Sequence, residues 1–390
     1  MSVEGPAIIN CTISAATAFL PPPSLRTTGL FTADEYAQMR AFFARHPELA
    51  PTPLRRLPAL ARELHIGTLL AKDESARFGL NAFKLLGARF AIETLIQDGD
   101  VRPGATLVCA SEGNHGRAVA RAARDAGCGC RVYMAHDVAA SRVDAIAGEG
   151  AQVIKVDGSY DDAVRIMEAD ANRHGWTIIS DTAWPGYERI PRLIMLGYTH
   201  MLDEVASSPA LSEGRGAASA RVEWDAIFVQ GGVGGLLCAM ASWCAFHRRD
   251  NPPRVISVEP TSAACLQASA RARQPVAVTG PLNTTMAGLR NREVSPPAFM
   301  ALLPIVDAFM GIDDVWSDAA MRAFGKPHNG DPVIEAGASG SAALGGLLAL
   351  CKDPSLVTAR DALGITEHSR ILVIVSEGVT DPQLWRTKMG

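Results

Sequence analysis

The sequence predicts an α/β protein, and two observations support this prediction. The first is that short strand-like runs alternate with amphipathic stretches: ATLVCAS (105–111) is followed by NHGRAVARAARDAG (114–127) and then by CRVYMA (130–135). Such alternation is typical of parallel sheets with helices on both faces. The second is length, since 390 residues have room for two domains of ordinary size. We expect a cleft between the domains, at the carboxyl ends of the strands, to hold the ligand.

The same alternation of strand and helix patterns continues through the rest of the chain. In the first half, a helix is expected after each of the strands at 130–135, 151–158 and 177–181, and the last of these helices extends from Tyr187 to about Val205. A Gly/Ala/Ser-rich stretch at 212–220 predicts a surface loop. The second half is predicted to contain a helix at 339–351 and strands at 225–230, 254–260 and 369–378. The proline-rich segments PPPSL and PTPLRRLP predict extended connectors.

Composition narrows the classes of function. Apolar residues make up 48% of the chain and charged residues 20%, which is enough to bury a large core. The net charge of −4 does not indicate a nucleic-acid or membrane partner, and no apolar run approaches the roughly 20 residues that span a bilayer. The N-terminus lacks the pattern of a secretory signal, so we expect a cytoplasmic protein.

The eight cysteines are scattered, mostly inside apolar runs, and indicate reduced core thiols. Cys128 and Cys130 form a close pair, but no second cluster of cysteine or histidine stands at metal-ligand spacing. We therefore predict no metal site.

The first of three candidate loops is KDESARFGLNAFKLLGAR (72–89), with Lys84 at the start of a helical run. Between Phe83 and Leu85, the amine of this lysine would lose hydration, which disfavours its charged form and favours attack on an aldehyde. Taken alone, the segment fits a solvated lysine on a helix face better.

The second loop is ASEGNHGRAV (110–119). Gly113 and Gly116 allow close backbone approach, while Asn114 offers an amide and Glu112 a carboxylate at the mouth of the cleft. The alternative is an ordinary helix N-terminus, with Asn114 as its cap and Glu112 favoured by the helix dipole.

The third loop is QGGVGGLL (230–237). Backbone N–H groups that glycines expose at a helix N-terminus form an anion cradle that suits a phosphate. By itself such a turn fits a nucleotide, a sugar phosphate, pyridoxal phosphate (PLP) or no ligand. No GKS or GKT follows, which argues against a nucleoside-triphosphate loop.

Together and in this order, the three loops resemble those of the fold type II PLP enzymes, such as serine and threonine dehydratases, cysteine synthases and tryptophan synthase β chains. Within that group the chain most resembles the diaminopropionate ammonia-lyases. The resemblance runs from about residue 50 to 382, and DTAWPGYERIP is its most diagnostic segment. The other matching stretches are KDESARFGLNAFKLLGA, SEGNHGRAVA, QGGVGG, TTMAGL and VSEGVTDP.

The resemblance implies a PLP cofactor held by residues of all three loops. Lys84, in NAFK, would carry it as a Schiff base, and Asn114 would hydrogen-bond its phenolic oxygen. Ser376, in VSEG, would face the pyridine nitrogen and leave it largely unprotonated, which suits β-elimination. The backbone that would hold the phosphate is that of Gly232, Val233, Gly234, Gly235 and Leu236.

The resemblance also implies two catalytic acids. Asp181, in SDTAWPGYE, matches the acid that takes the α-proton from one substrate enantiomer, and Glu112 occupies the place of the acid for the other enantiomer. His115 is expected to be structural, because both carboxylates are better placed. Trp184 and Tyr187 either shape the pocket or simply pack.

Three departures from the family pattern fall near the substrate. The acid at Glu112 is usually an aspartate, so the side chain here is longer by one methylene. The family motif G-E-S-G is GASG in this chain, with Ala338 in place of glutamate. The stretch after MAGL reads RNRE (290–293), which leaves Cys265 without the disulfide partner that some members have.

The reaction that the resemblance implies is the conversion of 2,3-diaminopropionate to pyruvate and ammonia, a step of amino-acid breakdown. The nearest alternative is the same elimination from serine, threonine or a larger diamino acid. A cysteine-synthase-like β-replacement, a non-catalytic PLP carrier and a nucleotide-binding dehydrogenase are more distant alternatives. The dehydrogenase is the weakest, because no ribose-binding acid follows QGGVGGLL at the expected ~20-residue offset.

The implied architecture has two domains, each with a mainly parallel sheet flanked by helices, and the active site in the cleft between them. Residues 1–90 and 190–390 would form the large PLP-binding domain, and residues 91–189 the small domain. The resemblance also implies a homodimer and a small amino acid as substrate.

Overall fold

The computed structural model describes residues 16–20, 29–211, 224–248, 251–327 and 330–390. Its strands form two separate sheets, one of seven strands and one of four. The strands are β1 (Thr17–Phe19), β2 (Leu54–Arg56), β3 (Thr68–Asp73), β4 (Thr106–Ala110), β5 (Gly129–Ala135), β6 (Gln152–Val156), β7 (Thr177–Ile178), β8 (Ala226–Gln230), β9 (Arg254–Pro260), β10 (Ala308–Ile312) and β11 (Arg370–Val375).

Helices cover these sheets and connect their strands. They are α1 (Ala33–Ala44), α2 (Pro58–Glu63), α3 (Leu85–Gln97), α4 (Asn114–Asp125), α5 (Ala140–Ala147), α6 (Tyr160–His174), α7 (Arg189–Tyr198), α8 (His200–Ala206), α9 (Gly235–His247), α10 (Cys265–Ala272), α11 (Pro296–Leu302), α12 (Asp314–Gly325), α13 (Ala338–Lys352), α14 (Val357–Ala362) and α15 (Pro382–Met389).

The seven-stranded sheet has the order β1-β10-β9-β8-β11-β3-β2. Its five central strands run parallel, and the edge strands β1 and β2 pair antiparallel to their neighbours. The register places Ile371 of β11 between Ala226 of β8 and Leu69 of β3. Because helices cover both faces, the central strands consist of nearly continuous apolar residues, as in RILVIV of β11.

The four-stranded sheet is entirely parallel, in the order β6-β5-β4-β7. We call this sheet with α4, α5 and α6 the small lobe, and the seven-stranded sheet with its helices the large lobe. Helix α6 packs on one face of the small sheet through Met167 and Ala163, against Val108 and Tyr133. The two lobes and their parallel sheets confirm the predicted fold class, whereas the limits 1–90 with 190–390 and 91–189 stay a prediction.

Three local expectations differ from the structure or lie outside it. The helix predicted from Tyr187 to Val205 is two helices, α7 and α8, which meet at Thr199. The segment PTPLRRLP is more than a connector, because it contains β2 and the first residue of α2. The loop predicted at 212–220 and the segment PPPSL (21–25) lie outside the described residues.

In the part of the chain that the structure describes, no single helix is both long and apolar enough to cross a bilayer. Helix α13 and the segment Pro354–Ala362 together reach the required length and composition, but they are bent by 85° at the break between them. Helix α13 is buried along nearly its whole length against the large sheet and α12.

Candidate active site

Lys84 lies at the junction between the two lobes, directly before the first residue of α3. Its Nζ is 2.5 Å from Asp181 Oδ2 and lies 5.2 Å and 5.8 Å from the ring centroids of Phe83 and Tyr198. Only 25% of the Lys84 side chain is exposed. The interpretation as a solvated helix-face lysine is therefore wrong. The sequence predicted that this amine loses hydration, but it did not predict that the amine has Asp181 as a carboxylate partner.

Asp181 lies in the loop after β7, with 19% of its side chain exposed. Burial tends to raise the pKa of this carboxyl, but the nearby charges of His115 and Lys84 outweigh that effect and hold it well below its usual value. Asp181 is therefore a carboxylate throughout the neutral pH range and can accept a proton at Oδ2.

His115 is buried and lies against the same carboxylate. Its Nε2 is 2.9 Å from the carbonyl oxygen of Ile179, and because a carbonyl only accepts, Nε2 carries the hydrogen. The other ring nitrogen, Nδ1, has no hydrogen-bond partner and lies 3.6 Å from Asp181 Oδ2. The histidine thus connects α4 to the strand end that precedes Asp181.

Tyr187 shapes the loop that carries Asp181. Its hydroxyl donates to the carbonyl oxygen of Ile178 at 2.8 Å and accepts from the N–H of Ser180 at 2.9 Å. The ring of Trp184 stacks on it, with 4.1 Å between centroids. Of the two possibilities for these aromatic residues, the geometry favours a loop-shaping role for Tyr187, because its hydroxyl satisfies backbone groups on both sides of Ile179.

Asn114 is the first residue of α4, and Gly113 occupies the cap position. The Asn114 side chain does not cap the helix. Its Nδ2 instead crosses to the large lobe and donates to Glu377 Oε2 at 2.6 Å. The capping alternative for Asn114 is therefore wrong, and its amide lies at the boundary between the lobes.

Glu112 lies half-buried in the same loop, two residues before Asn114. Its backbone carbonyl accepts from Arg142, at 3.4 Å. Among the described residues, its carboxylate has no hydrogen bond or ion pair within contact distance. Burial around the hydroxyl, together with the negative charges of Asp181 and Glu112, raises the pKa of Tyr160.

The glycine-rich loop between β8 and α9 has the conformation that an anion cradle needs. Gly232 and Gly234 have φ of +58° and +103°, which glycine adopts most easily. A Cβ on Gly231 would lie 2.5 Å from Glu259 Cγ, so this turn has no room for a side chain there. The free N–H groups at the start of α9, including those of Gly235 and the buried Leu236, suit a phosphate.

The cradle lies beside the Asp181 loop. A Cβ on Gly235 would be 3.9 Å from the carbonyl oxygen of Asp181. Ser295 joins the two segments, because its N–H donates to the carbonyl of Val233 at 2.8 Å and its hydroxyl accepts from the N–H of Ala183 at 3.2 Å. An anion in the cradle would therefore lie close to the loop of the candidate base.

Ser376 follows β11 and is buried, with its carbonyl oxygen 3.4 Å from the N–H of Phe83. It thus lies beside the loop of Lys84, and its role toward the ring nitrogen stays a prediction. Ala338 begins α13 nearby, and its carbonyl accepts from Ser317 at 2.8 Å. The methyl group of Ala338 offers no charge to a substrate where the family motif has a carboxylate.

Glu377 also lies at this site, although it was not predicted from the sequence. It follows Ser376, is 8% exposed, and its carboxylate accepts a hydrogen bond from the Asn114 side chain. Burial raises the pKa of its carboxyl. The position of this glutamate beside Ser376 in VSEG could have indicated it as a site residue. Its hydrogen-bond partner, Asn114, is 263 residues away in sequence, so the sequence does not show their contact.

The residues that the structure describes hold no group of three or more histidine, cysteine, aspartate or glutamate side chains that could bind a metal. The cysteines in the described part of the chain are free thiols. The Sγ of Cys265 lies 3.4 Å from the carbonyl oxygen of Gly232, under the cradle.

Comparison with known proteins identifies the family of the chain. The family model described as pyridoxal-phosphate dependent enzyme matches residues 46–377. The diaminopropionate ammonia-lyase of Escherichia coli (strain K12) is 34% identical over 92% of each chain, and that of Salmonella typhimurium is 33% identical over 89% of this chain and 90% of its own.

Solved structures give the same result. The crystal structure of the Escherichia coli diaminopropionate ammonia-lyase with an aminoacrylate-PLP azomethine reaction intermediate has a TM-score of 0.86 at 32% identity and covers 97% of each chain. A threonine deaminase from Solanum lycopersicum, at 19% identity and a TM-score of 0.74, shares the fold. The chain belongs to the pyridoxal-phosphate-dependent enzyme family and, within it, groups with the diaminopropionate ammonia-lyases.

Proposed function

We propose that this protein is a PLP-dependent ammonia-lyase that converts 2,3-diaminopropionate to pyruvate and ammonia. The observation that carries the proposal is the contact between Lys84 Nζ and Asp181 Oδ2, at 2.5 Å, beside a glycine cradle that suits a phosphate. A nucleophilic amine, a carboxylate base and an anion site are the groups that this chemistry needs in one place.

The residues present fit the cofactor. Lys84 would bind it covalently, the Gly232–Leu236 backbone would hold its phosphate, Asn114 would contact its phenolic oxygen and Ser376 its ring nitrogen. PLP supplies an electron sink for the charge that develops when the α-proton leaves.

Asp181 is the proposed base for one enantiomer. Its carboxylate is kept ionised by His115 and Lys84, so Oδ2 is ready to accept the α-proton. Lys84 Nζ is within proton-transfer distance of that oxygen and can hand a proton to the departing β-amino group. Tyr187 and Ser295 hold the loop, which keeps Oδ2 in position.

Glu112 is the proposed base for the other enantiomer, since L- and D-substrates present the α-proton to opposite faces. Its carboxylate has no partner among the described residues to hold it in place, unlike that of Asp181. We therefore propose that the enzyme favours the enantiomer served by Asp181, which the resemblance implies is L.

Among the relatives, the Escherichia coli enzyme has also been crystallised with D-serine. Elimination from serine or another β-substituted amino acid is therefore the second candidate function for this chain. The replacement of the family glutamate by Ala338 favours it, because a neutral methyl group cannot pair with an ammonium on the substrate.

A substrate panel tests the proposal. We expect the purified holoenzyme to release 2-oxo acid and ammonia from L-2,3-diaminopropionate with a higher kcat/KM than from D-2,3-diaminopropionate, L-serine or L-threonine. Turnover of serine or threonine without turnover of diaminopropionate would transfer the assignment to the second candidate. Formation of a thioether amino acid on addition of a thiol would instead indicate β-replacement.

We further propose a homodimer located in the cytoplasm, as the resemblance and the sequence imply. Light scattering on the purified protein at several concentrations tests the dimer, and fractionation of cells tests the location.

A further inference from the structure

Glu377 is held rigidly at the end of β11. Its backbone pairs with Ala82 in an isolated bridge, and its carbonyl oxygen accepts from the N–H of Gly337 at 3.2 Å. A Cβ on Gly340 would lie 2.0 Å from that carbonyl oxygen, so α13 approaches as closely as a glycine permits. The backbone of Glu377 is thus fixed by two segments of the large lobe.

The side chain of Glu377 also lies among polar groups of both lobes. The hydroxyl of Ser339, which accepts from the N–H of Gly288 at 2.9 Å, lies beside its carboxylate. Asn114 Nδ2, from the small lobe, lies 2.6 Å from Oε2. With 8% of the residue exposed, water offers little competition for these contacts.

This contact determines the orientation of the Asn114 amide. An asparagine side chain has a donor end and an acceptor end of nearly equal shape, and its hydrogen-bond partners select between the two orientations. A carboxylate only accepts, so Glu377 requires the NH2 group of Asn114 to point toward it. Among the described residues, no other hydrogen bond fixes this amide. The second N–H of the same group then remains available to an acceptor in the cleft.

We propose that Glu377 is a positioning residue that orients the amide of Asn114 so that it donates to the phenolic oxygen of the cofactor. The inference rests on the cofactor role of Asn114 in the proposed function. With the amide reversed, its Oδ1 would face the phenolic oxygen, and two acceptors would oppose each other. The same hydrogen bond joins the two lobes at the cofactor site.

The test compares the Glu377→Gln, Asn114→Ala and doubly substituted proteins, with Glu335→Gln as the matched control. Glu335 is an exposed glutamate whose carbonyl oxygen would lie 3.3 Å from a Cβ on Gly378, so its substitution removes a carboxylate near the same segment without touching Asn114. The readouts are the affinity of the apoprotein for PLP and the absorption spectrum of the loaded protein, neither of which requires turnover.

We expect Glu377→Gln to weaken PLP binding about 2- to 10-fold, which is the effect of one hydrogen bond. A glutamine amide can pair with either orientation of the Asn114 amide, so it no longer selects one. Absorbance should shift from the visible toward the near-ultraviolet, since a phenolate that loses a donor favours its neutral form. In the Asn114→Ala background, Glu377→Gln should add no further change. Glu377→Asp, which keeps an acceptor, should retain more visible absorbance than Glu377→Gln, and it provides the test if the glutamine variant fails to fold.

The inference would be overturned if Glu377→Gln kept the wild-type spectrum and the wild-type affinity for PLP. It would also be overturned if the effects of the two substitutions simply added in the double variant. A protein that binds PLP but does not act on diaminopropionate would overturn the proposed function alone, because the spectral comparison still applies. A wild-type protein that takes up no PLP would overturn both.

Discussion

Replacing Asp181 with asparagine removes the proposed base while preserving its shape. The amide keeps an oxygen that can accept from Lys84 Nζ, now 2.5 Å from Oδ2, so we expect PLP uptake to persist. It cannot accept the α-proton, and a positioned general base contributes about 10²- to 10⁴-fold. The kcat on L-diaminopropionate should therefore fall by that factor, or about 3–5 kcal/mol in the barrier.

The assay follows pyruvate release from each enantiomer separately, at saturating PLP. Activity on the D-enantiomer is expected to be weak in the wild type, because the extra methylene of Glu112 displaces its carboxylate by roughly 1 Å, which can cost about 100-fold. Glu112→Asp should raise this activity. Equal wild-type rates on both enantiomers would refute the assignment of Glu112, and an Asp181→Asn protein within about threefold of wild type on both would refute that of Asp181.

The lowered pKa of Asp181 makes the stability of the folded protein depend on pH. Its folded-state pKa lies below the ordinary value of 3.8, because the charges of His115 and Lys84 outweigh the effect of burial. A lowered pKa means that the stabilisation is fully present above about pH 4 and is lost as the pH falls through the folded-state value. The melting temperature of the apoprotein below pH 4 should thus fall less steeply in Asp181→Asn than in wild type. Parallel curves for the two proteins would contradict this cause.

Three further predictions concern the cofactor and the loop of the base. Lys84→Ala should abolish the PLP adduct that borohydride fixes in the wild type, and a peptide map that places the adduct elsewhere would refute Lys84. Gly234→Asp should weaken PLP binding in a reconstitution titration, because a carboxylate repels the phosphate. The backbone φ of +103° also disfavours a side chain there, and the new Cβ would lie 3.3 Å from Leu302. Unchanged PLP affinity would place the phosphate elsewhere. Tyr187→Phe leaves the N–H of Ser180 without its acceptor and should lower kcat several-fold without changing PLP affinity, whereas an unchanged kcat would mean that Tyr187 only packs.

The amino-acid sequence by itself determined the fold class and the candidate loops. Strand and helix periodicities are local, so the alternation of elements and the glycine turn after β8 could be identified from the order of the residues. The motif around Lys84, read with the later loops, was enough to identify the family. The break between α7 and α8 at Thr199 was not predicted, because the apolar pattern continues through it.

Only the tertiary structure decided which side chains meet. Lys84 and Asp181 are 97 residues apart, and Asn114 and Glu377 are 263 apart. Each pair joins segments from different lobes or from the boundary between them, so their contact depends on how the two sheets pack and not on any local pattern. The same packing turned the Asn114 amide away from the helix N-terminus, where the sequence alone allowed it to be a cap.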